Sequence, residues 1–174
     1  QDYGEALKWL LKVAEQGFPR AQHDVASMYY EGQGVSRNYR DAMKWFRKAA
    51  AQEYAPSQGS LGHMYRYGLG VPGDFAEAVK WYRRAAEKGN PTAQFNLGSM
   101  YMNGEGVPKD FAQAAKWYRD AAEQGYATAQ YNLGLMHIEG VGVPRDYVSA
   151  YMWLLLAEPV QEEAKVDIET LKRK

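Results

Sequence analysis

The sequence predicts an all-α protein made by repeating one helix pair. Three observations carry that prediction. The first is a fixed period: Gly32, Gly68, Gly104 and Gly140 recur every 36 residues, as do Trp9, Trp45, Trp81, Trp117 and Trp153. The second is that large and small residues hold constant slots at helical spacing within each period. The third is a glycine-rich turn that closes one helix and opens the next in every unit. A period of this length marks a solenoid built from one supersecondary unit.

The elements follow in order. Helix A is expected at 20–31, 56–67, 92–103 and 128–139, and helix B at 2–16, 38–52, 74–88, 110–124 and 146–157. Asp2, Asn38, Asp74, Asp110 and Asp146 stand at the start of helix B, where a side-chain oxygen can accept the orphan N–H groups of the first turn. Glu5, Glu77 and Gln113 follow three residues later, as in a capping box. Pro72, Pro108 and Pro144 block an earlier start. Along helix B come an aromatic (Tyr3, Tyr39, Phe75, Phe111, Tyr147), an alanine three residues on, and then the tryptophan, a pattern that predicts close packing with the tryptophans in the core. Helix B ends at Gly17, Gly89 and Gly125, but at Glu53 in the second repeat. A side chain in a left-handed cap costs on the order of 1 kcal/mol relative to glycine, so Glu53→Gly is expected to raise the melting temperature.

The organisation is then a half repeat, 1–16, four repeats, 17–52, 53–88, 89–124 and 125–157, and a C-terminal capping helix, 158–174. In that last segment Val160, Ala164, Ile168 and Leu171 have helical spacing among charges. The chain opens inside a repeat, because 1–16 match 37–52, and it therefore reads as part of a longer protein.

The turn "NGEGVPKDF" (103–111) could cradle a phosphate on backbone N–H groups or hold a cation. A catalytic loop is needed once, whereas this one occurs four times. The residue between its glycines is Gln33, Leu69, Glu105 or Val141, so no ligand type is kept there. It reads as a structural turn with left-handed glycines.

Composition excludes other classes. Lys+Arg and Asp+Glu are both 21, which argues against a dedicated nucleic-acid binder. There is no cysteine and hence no disulfide or thiolate metal site. The longest apolar stretch, "YMWLLLA" (151–157), falls far short of the roughly 20 residues of a membrane helix, so no membrane insertion is expected.

The segment "DFAQAAKWYRDAAEQGYATAQYNLGLMHIEGVGVPRD" (110–146) resembles the Sel-1-like repeat, a relative of the tetratricopeptide repeat, in its period, its GxGV turn and its WY/F–x–x–A–A run. The resemblance covers about residues 1–157. It implies a right-handed superhelical solenoid of antiparallel helix pairs acting as a non-catalytic adaptor. It also leans towards a periplasmic or secreted protein, a compartment that the residues themselves leave open. The family's disulfide-rich, penicillin-binding subgroup does not carry over to a chain without cysteine.

Comparing repeats locates a candidate face. On helix A of the first repeat, Ala21, Gln22, Val25, Ala26, Met28 and Tyr29 keep their type in later repeats and fall within an arc of roughly 160°. Arg20, His23, Asp24, Ser27, Tyr30 and Glu31 vary and fall within the opposite arc of roughly 120°. The resemblance implies that helix A lines the concave surface, so the variable face is the expected ligand groove. It reads as polar first, with Asp24, Tyr30, His63, Arg66 and Tyr67, and then as apolar and amide-bearing, with Phe95, Asn96, Met102, Asn103, Tyr131, Asn132 and Leu135. A protein or peptide with an apolar portion toward the last two repeats is the expected ligand. If the C-terminal helix covers Leu135 and Ile138, the groove is shorter.

Catalysis finds little support: no nucleophile–base motif is present, and no cofactor is implied. His23, Asp24 and His63 lie on one face but lack a third strong ligand for a metal. Lys8, Lys44, Lys80 and Lys116 form a ladder interleaved with acids, which reads as a solvated face. Two alternatives stand beside the adaptor: an envelope enzyme or cell-wall glycan binder, and an array that self-associates end to end through the uncovered half repeat with Trp9 and Leu10.

Overall fold

A computed structural model of the chain describes residues 3–171. The cap expected at Asp2 and residues 172–174 of the expected capping helix lie outside the described residues. Among the described residues the chain is all-helical, with α1 (Tyr3–Glu15), α2 (Pro19–Glu31), α3 (Tyr39–Ala51), α4 (Ala55–Tyr67), α5 (Phe75–Glu87), α6 (Pro91–Asn103), α7 (Phe111–Glu123), α8 (Ala127–Glu139), α9 (Tyr147–Ala157) and α10 (Glu163–Leu171). The repeat helices form within one residue of their expected bounds: α2, α4, α6 and α8 are helix A, and the odd-numbered helices are helix B. The chain divides into two compact units, Gln1–Lys88 and Gly89–Lys174.

Within each unit, a bulky residue of helix B fills a hole in helix A of the same repeat. A Cβ on Gly62 of α4 would come within 2.7 Å of the Tyr82 ring of α5. In the second unit, a Cβ on Gly98 would meet Tyr118 at 2.8 Å, and one on Gly134 would meet Leu154 at 2.9 Å. Ala26 and Phe46 make the corresponding buried pair of the first repeat. The glycine therefore serves the fold by its missing side chain, in the middle of a helix where it would otherwise cost stability.

The turn serves a second close approach. Gly68 (φ 67°) closes α4 in the left-handed region, and Gly70 (φ 74°) brings the backbone onto the first residue of the preceding helix B. A Cβ on Gly70 would lie 2.7 Å from the Tyr39 carbonyl oxygen, and one on Gly142 would lie 2.2 Å from that of Phe111.

The caps at Asn38, Asp74, Asp110 and Asp146 form. The Asp74 carboxylate accepts from the Glu77 N–H and that of Asp110 from the Gln113 N–H, both at 3.0 Å. The capping box closes differently from expectation. The N–H of each cap residue donates to helix A of its own repeat, at the carbonyl of Tyr29, Tyr65, Tyr101 or His137 (2.8–3.0 Å). Glu77 is then free to pair with Lys80. A buried glutamine stitches repeats together: Gln22, Gln58 and Gln130 donate to the carbonyls of Ala14, Ala50 and Ala122, last-turn acceptors of the preceding helix B.

Two expectations need correction. Of the tryptophans, only Trp117 is buried, whereas Trp45, Trp81 and Trp153 are half-buried and Trp9 is exposed. Their slot lies at the outer edge of helix B, where Lys12, Lys48 and Arg84, one turn on, cover the rings of Trp9, Trp45 and Trp81. In the C-terminal segment, Ala164 and Ile168 pack on Leu154 and Ala157, with Leu171 partly buried beside them. Val160 is exposed because α10 starts only at Glu163, after Pro159, so Val160 is not on its face.

Glu53 adopts the left-handed backbone (φ 62°) at the end of α3. It also anchors an exposed ion-pair cluster, with its carboxylate 2.7 Å from Arg84 and 2.8 Å from Lys88. Lys88 first, then Gln58 and Arg84, hold the carboxyl down to about 2. The pairs therefore contribute above the ordinary glutamate value of about 4.3 and are lost as pH falls towards about 2. The strain that Glu53→Gly relieves is thus offset by lost pairing at neutral pH and low salt. The melting temperature of Glu53→Gly relative to wild type is expected to rise on going from pH 5 to pH 2, and on adding salt at neutral pH. Calorimetry at both conditions checks this, and a difference independent of pH and salt contradicts it.

Candidate functional site

The variable arc of helix A is half-buried along much of its length, not freely solvated. Asp24, Tyr30, His63 and Arg66 in the first unit are half-buried, as are Phe95, Asn96, Met102, Tyr131, Asn132 and Leu135 in the second, while Tyr67 and Asn103 are exposed.

In the second unit the apolar members are engaged in packing. Phe95 stacks on Tyr126 at 5.0 Å and tilts against Tyr118 at 5.6 Å. Met102 packs on the α7–α8 core, and Tyr131 and Ile138 pack with Ala164 and Ile168 of α10. The Tyr131 phenol is pushed upward by burial and by the Asp167 carboxylate. Asn96 Nδ2 donates to the Thr92 carbonyl at 2.8 Å, within its own helix, and Asn103 Nδ2 donates to Glu105 at 3.0 Å. Leu135 and Asn132 remain half-buried on the face.

In the first unit four members of the face converge. The Tyr30 hydroxyl and His63 Nδ1 are 3.3 Å apart. The His63 ring lies 4.6 Å from that of Tyr67, and the Arg66 guanidinium sits 5.5 Å over the same tyrosine. Tyr39, at the start of α3, closes the far side 5.2 Å from Tyr30. The helix geometry produces this: residues 63, 66 and 67 share one face at i, i+3 and i+4, and Tyr30 comes from the equivalent face one repeat earlier. The result is an aromatic patch whose outer ring, Tyr67, is 57% exposed. Burial, and next the Arg66 charge, lower the His63 pKa. Burial and Tyr39 raise that of Tyr30. Both shifts favour the uncharged forms of the His63 imidazole and the Tyr30 phenol beside the Arg66 guanidinium.

His23 takes a separate place. Its Nδ1 is 2.9 Å from Ser57 Oγ, and its ring packs on Phe46 and Tyr54. Among the described residues no group of three His, Cys, Asp or Glu side chains is close enough to hold a metal ion. Asp24 lines a pocket of about 390 Å³ between α1 and α2, with Tyr3, Ala6 and Leu10. Leu10 occupies the slot of Phe46 and Tyr82, and among the described residues α1 has no preceding helix A to receive it.

The Sel1 repeat family model matches residues 1–18, 19–54, 55–90, 91–126 and 127–157. The chain belongs to the Sel1 repeat family. It is similar to a Sel1 repeat protein from Oxalobacter formigenes, at 38% identity and a TM-score of 0.92 over 98% of this chain and 50% of that one. It is also similar to a protective antigen of uropathogenic Escherichia coli with an SLR fold, at 45% identity and a TM-score of 0.88 over 91% of this chain and 34% of that one. An immunity protein from Pseudomonas aeruginosa matches at 25% identity and a TM-score of 0.61 over 90% of this chain and 58% of that one. The chain thus spans between about a third and just over half of these relatives. Among curated proteins none matches. Sel1 repeat proteins are generally scaffolds for protein interaction. No helix among the described residues is long and apolar enough to cross a membrane.

The His63 environment makes a titration prediction. Its folded pKa is lowered, so its contribution to stability is full above the unfolded value of about 6.5 and is lost as pH falls through the folded value. Arg66→Met is expected to move the His63 pKa upward, while burial keeps it below that of a free imidazole. An NMR titration of the ring protons checks both statements, and an unchanged pKa removes Arg66 as a cause.

Proposed function

We propose that this Sel1 repeat chain is a non-catalytic scaffold that binds a protein or peptide segment on the helix A face, centred on Tyr30, His63, Arg66 and Tyr67. The observation that carries the reading is the exposed ring of Tyr67, held in place by His63 and Arg66 beside it. A rigid aromatic with one cation over its ring is the type of group that dominates binding energy at protein interfaces. The face is built from side chains that differ between repeats on a backbone that does not, which is how a solenoid acquires specificity without changing its fold.

In the second unit Phe95, Met102 and Tyr131 pack on the core of that unit, so this reading does not use them as ligand contacts. Leu135 and Asn132 keep partial exposure and remain candidates for ligand contact there. Asp24 belongs to this reading as a polar edge of the α1–α2 pocket. The glycan-binding alternative calls for paired carboxylates beside the rings, and the cluster's four members are two phenols, an imidazole and a guanidinium.

A photo-reactive phenylalanine analogue at position 67 is expected to cross-link a protein from the native lysate. The same analogue at position 83, on the exposed side of α5, is not. Combining the probe at 67 with Tyr30→Ala and Arg66→Ala is expected to abolish the adduct at unchanged melting temperature. Adducts that form equally from both positions, or that survive the double substitution, contradict this binding face.

A further inference from the structure

The outer side of α9 departs from helix B of the three preceding repeats, α3, α5 and α7. Three slots that face solvent carry charge in the preceding repeats. Lys44, Lys80 and Lys116 share one, Arg47, Arg83 and Arg119 the second, and Lys48, Arg84 and Asp120 the third. In α9 these slots hold Met152, Leu155 and Leu156, and Val148 stands one turn earlier. The four are 74% (Val148), 53% (Met152), 41% (Leu155) and 56% (Leu156) exposed. They fall within an arc of roughly 100° on the helix, on the side away from Ala150, Leu154 and Ala157, which are buried. α10 packs on that buried side and leaves the stripe open. α9 carries no charged residue along its length. A contiguous apolar stripe where the same chain elsewhere places lysine and arginine marks an interaction surface.

The ends of the stripe identify the occupant. Arg145 precedes the helix and Glu158 follows it, both outside the apolar run. A second α9 laid antiparallel across the first about a two-fold axis sets each stripe against the other. It also brings Arg145 of each copy beside Glu158 of the other. The antiparallel arrangement opposes the helix dipoles favourably. Spacings of four and three residues from Val148 through Met152 to Leu155 are those of a helix–helix seam.

We infer that α9 is a homodimer interface, formed by isologous antiparallel pairing of its apolar stripe with that of a second copy. The surface is distinct from the helix A face, so either can fail without the other. A seam of one eleven-residue helix lies at the small end of specific interfaces, below roughly 1,200 Å² in total, so the dimer is weak and concentration-dependent.

Sedimentation velocity on the full 174-residue chain over a wide concentration series tests this. Wild type is expected to move from monomer to dimer mass. Met152→Lys with Leu155→Arg restores the residues of the three preceding repeats, so the fold tolerates it. It is expected to weaken association by roughly tenfold or more, with the melting temperature of the monomer unchanged. Arg145→Glu is expected to weaken the dimer, and Arg145→Glu combined with Glu158→Arg to restore it. A wild type that stays monomeric at every concentration overturns the inference, whether or not it adsorbs to phospholipid vesicles. Association that persists in Met152→Lys, Leu155→Arg overturns it too, and a charge swap that does not rescue overturns the antiparallel pairing.

Discussion

The stacking of this chain rests on close backbone approach at positions that hold glycine or, in the first helix A, alanine. Two kinds of such approach recur along the chain. In one, a mid-helix glycine admits the bulky residue of helix B, as Gly62 admits Tyr82. In the other, the second turn glycine lets the loop sit on the preceding helix B, as Gly70 sits on Tyr39. The aromatic and aliphatic knobs supply the apolar area, and the holes admit them because they hold no Cβ at Gly62, Gly98 and Gly134 and only one methyl at Ala26. The asparagine or aspartate caps and the buried glutamines then satisfy the helix ends that this packing brings out of solvent.

That division of labour explains what a repeat can vary. Residues that fill holes, cap helices or close turns are needed in each unit and keep their type. The face of helix A and the outer face of helix B carry no such duty. Function can be written there at little cost to the fold, and both surfaces proposed for binding lie on them. The Tyr30–His63–Tyr67 cluster uses the first and the α9 stripe the second.

The fold was legible in the sequence because each of its rules is repeated. The period, the caps and the turn glycines located the repeat helices to within a residue. The structural duty of "NGEGVPKDF" followed from its recurrence. The face was less legible, because variability between repeats does not separate a free side chain from one filling a local gap. Phe95 varies since Tyr126 in the next repeat offers it a ring to stack on, and Tyr131 varies since α10 covers it. Tryptophans in a fixed slot read as core, but the slot lies at a rim that a lysine or arginine can shield. The apolar stripe on α9 carried a signal that the lysine ladder itself contained: the ladder from Lys8 to Lys116 stops at Met152.

The central claim, that close backbone approach holds the repeats together, has a direct test in two glycines of similar backbone conformation. Gly70 (φ 74°) and Gly89 (φ 81°) both sit in the left-handed region. A Cβ on Gly70 would collide with the Tyr39 carbonyl at 2.7 Å, whereas one on Gly89 would meet nothing within 4 Å. Urea unfolding of Gly70→Ala and Gly89→Ala separates the two effects. Gly89→Ala should lose about 1 kcal/mol from backbone strain alone, and Gly70→Ala should lose at least about 2 kcal/mol, with the excess coming from the displaced helix B. Equal losses would contradict the account, because the second turn glycine would then be serving its own conformation and not the contact between repeats.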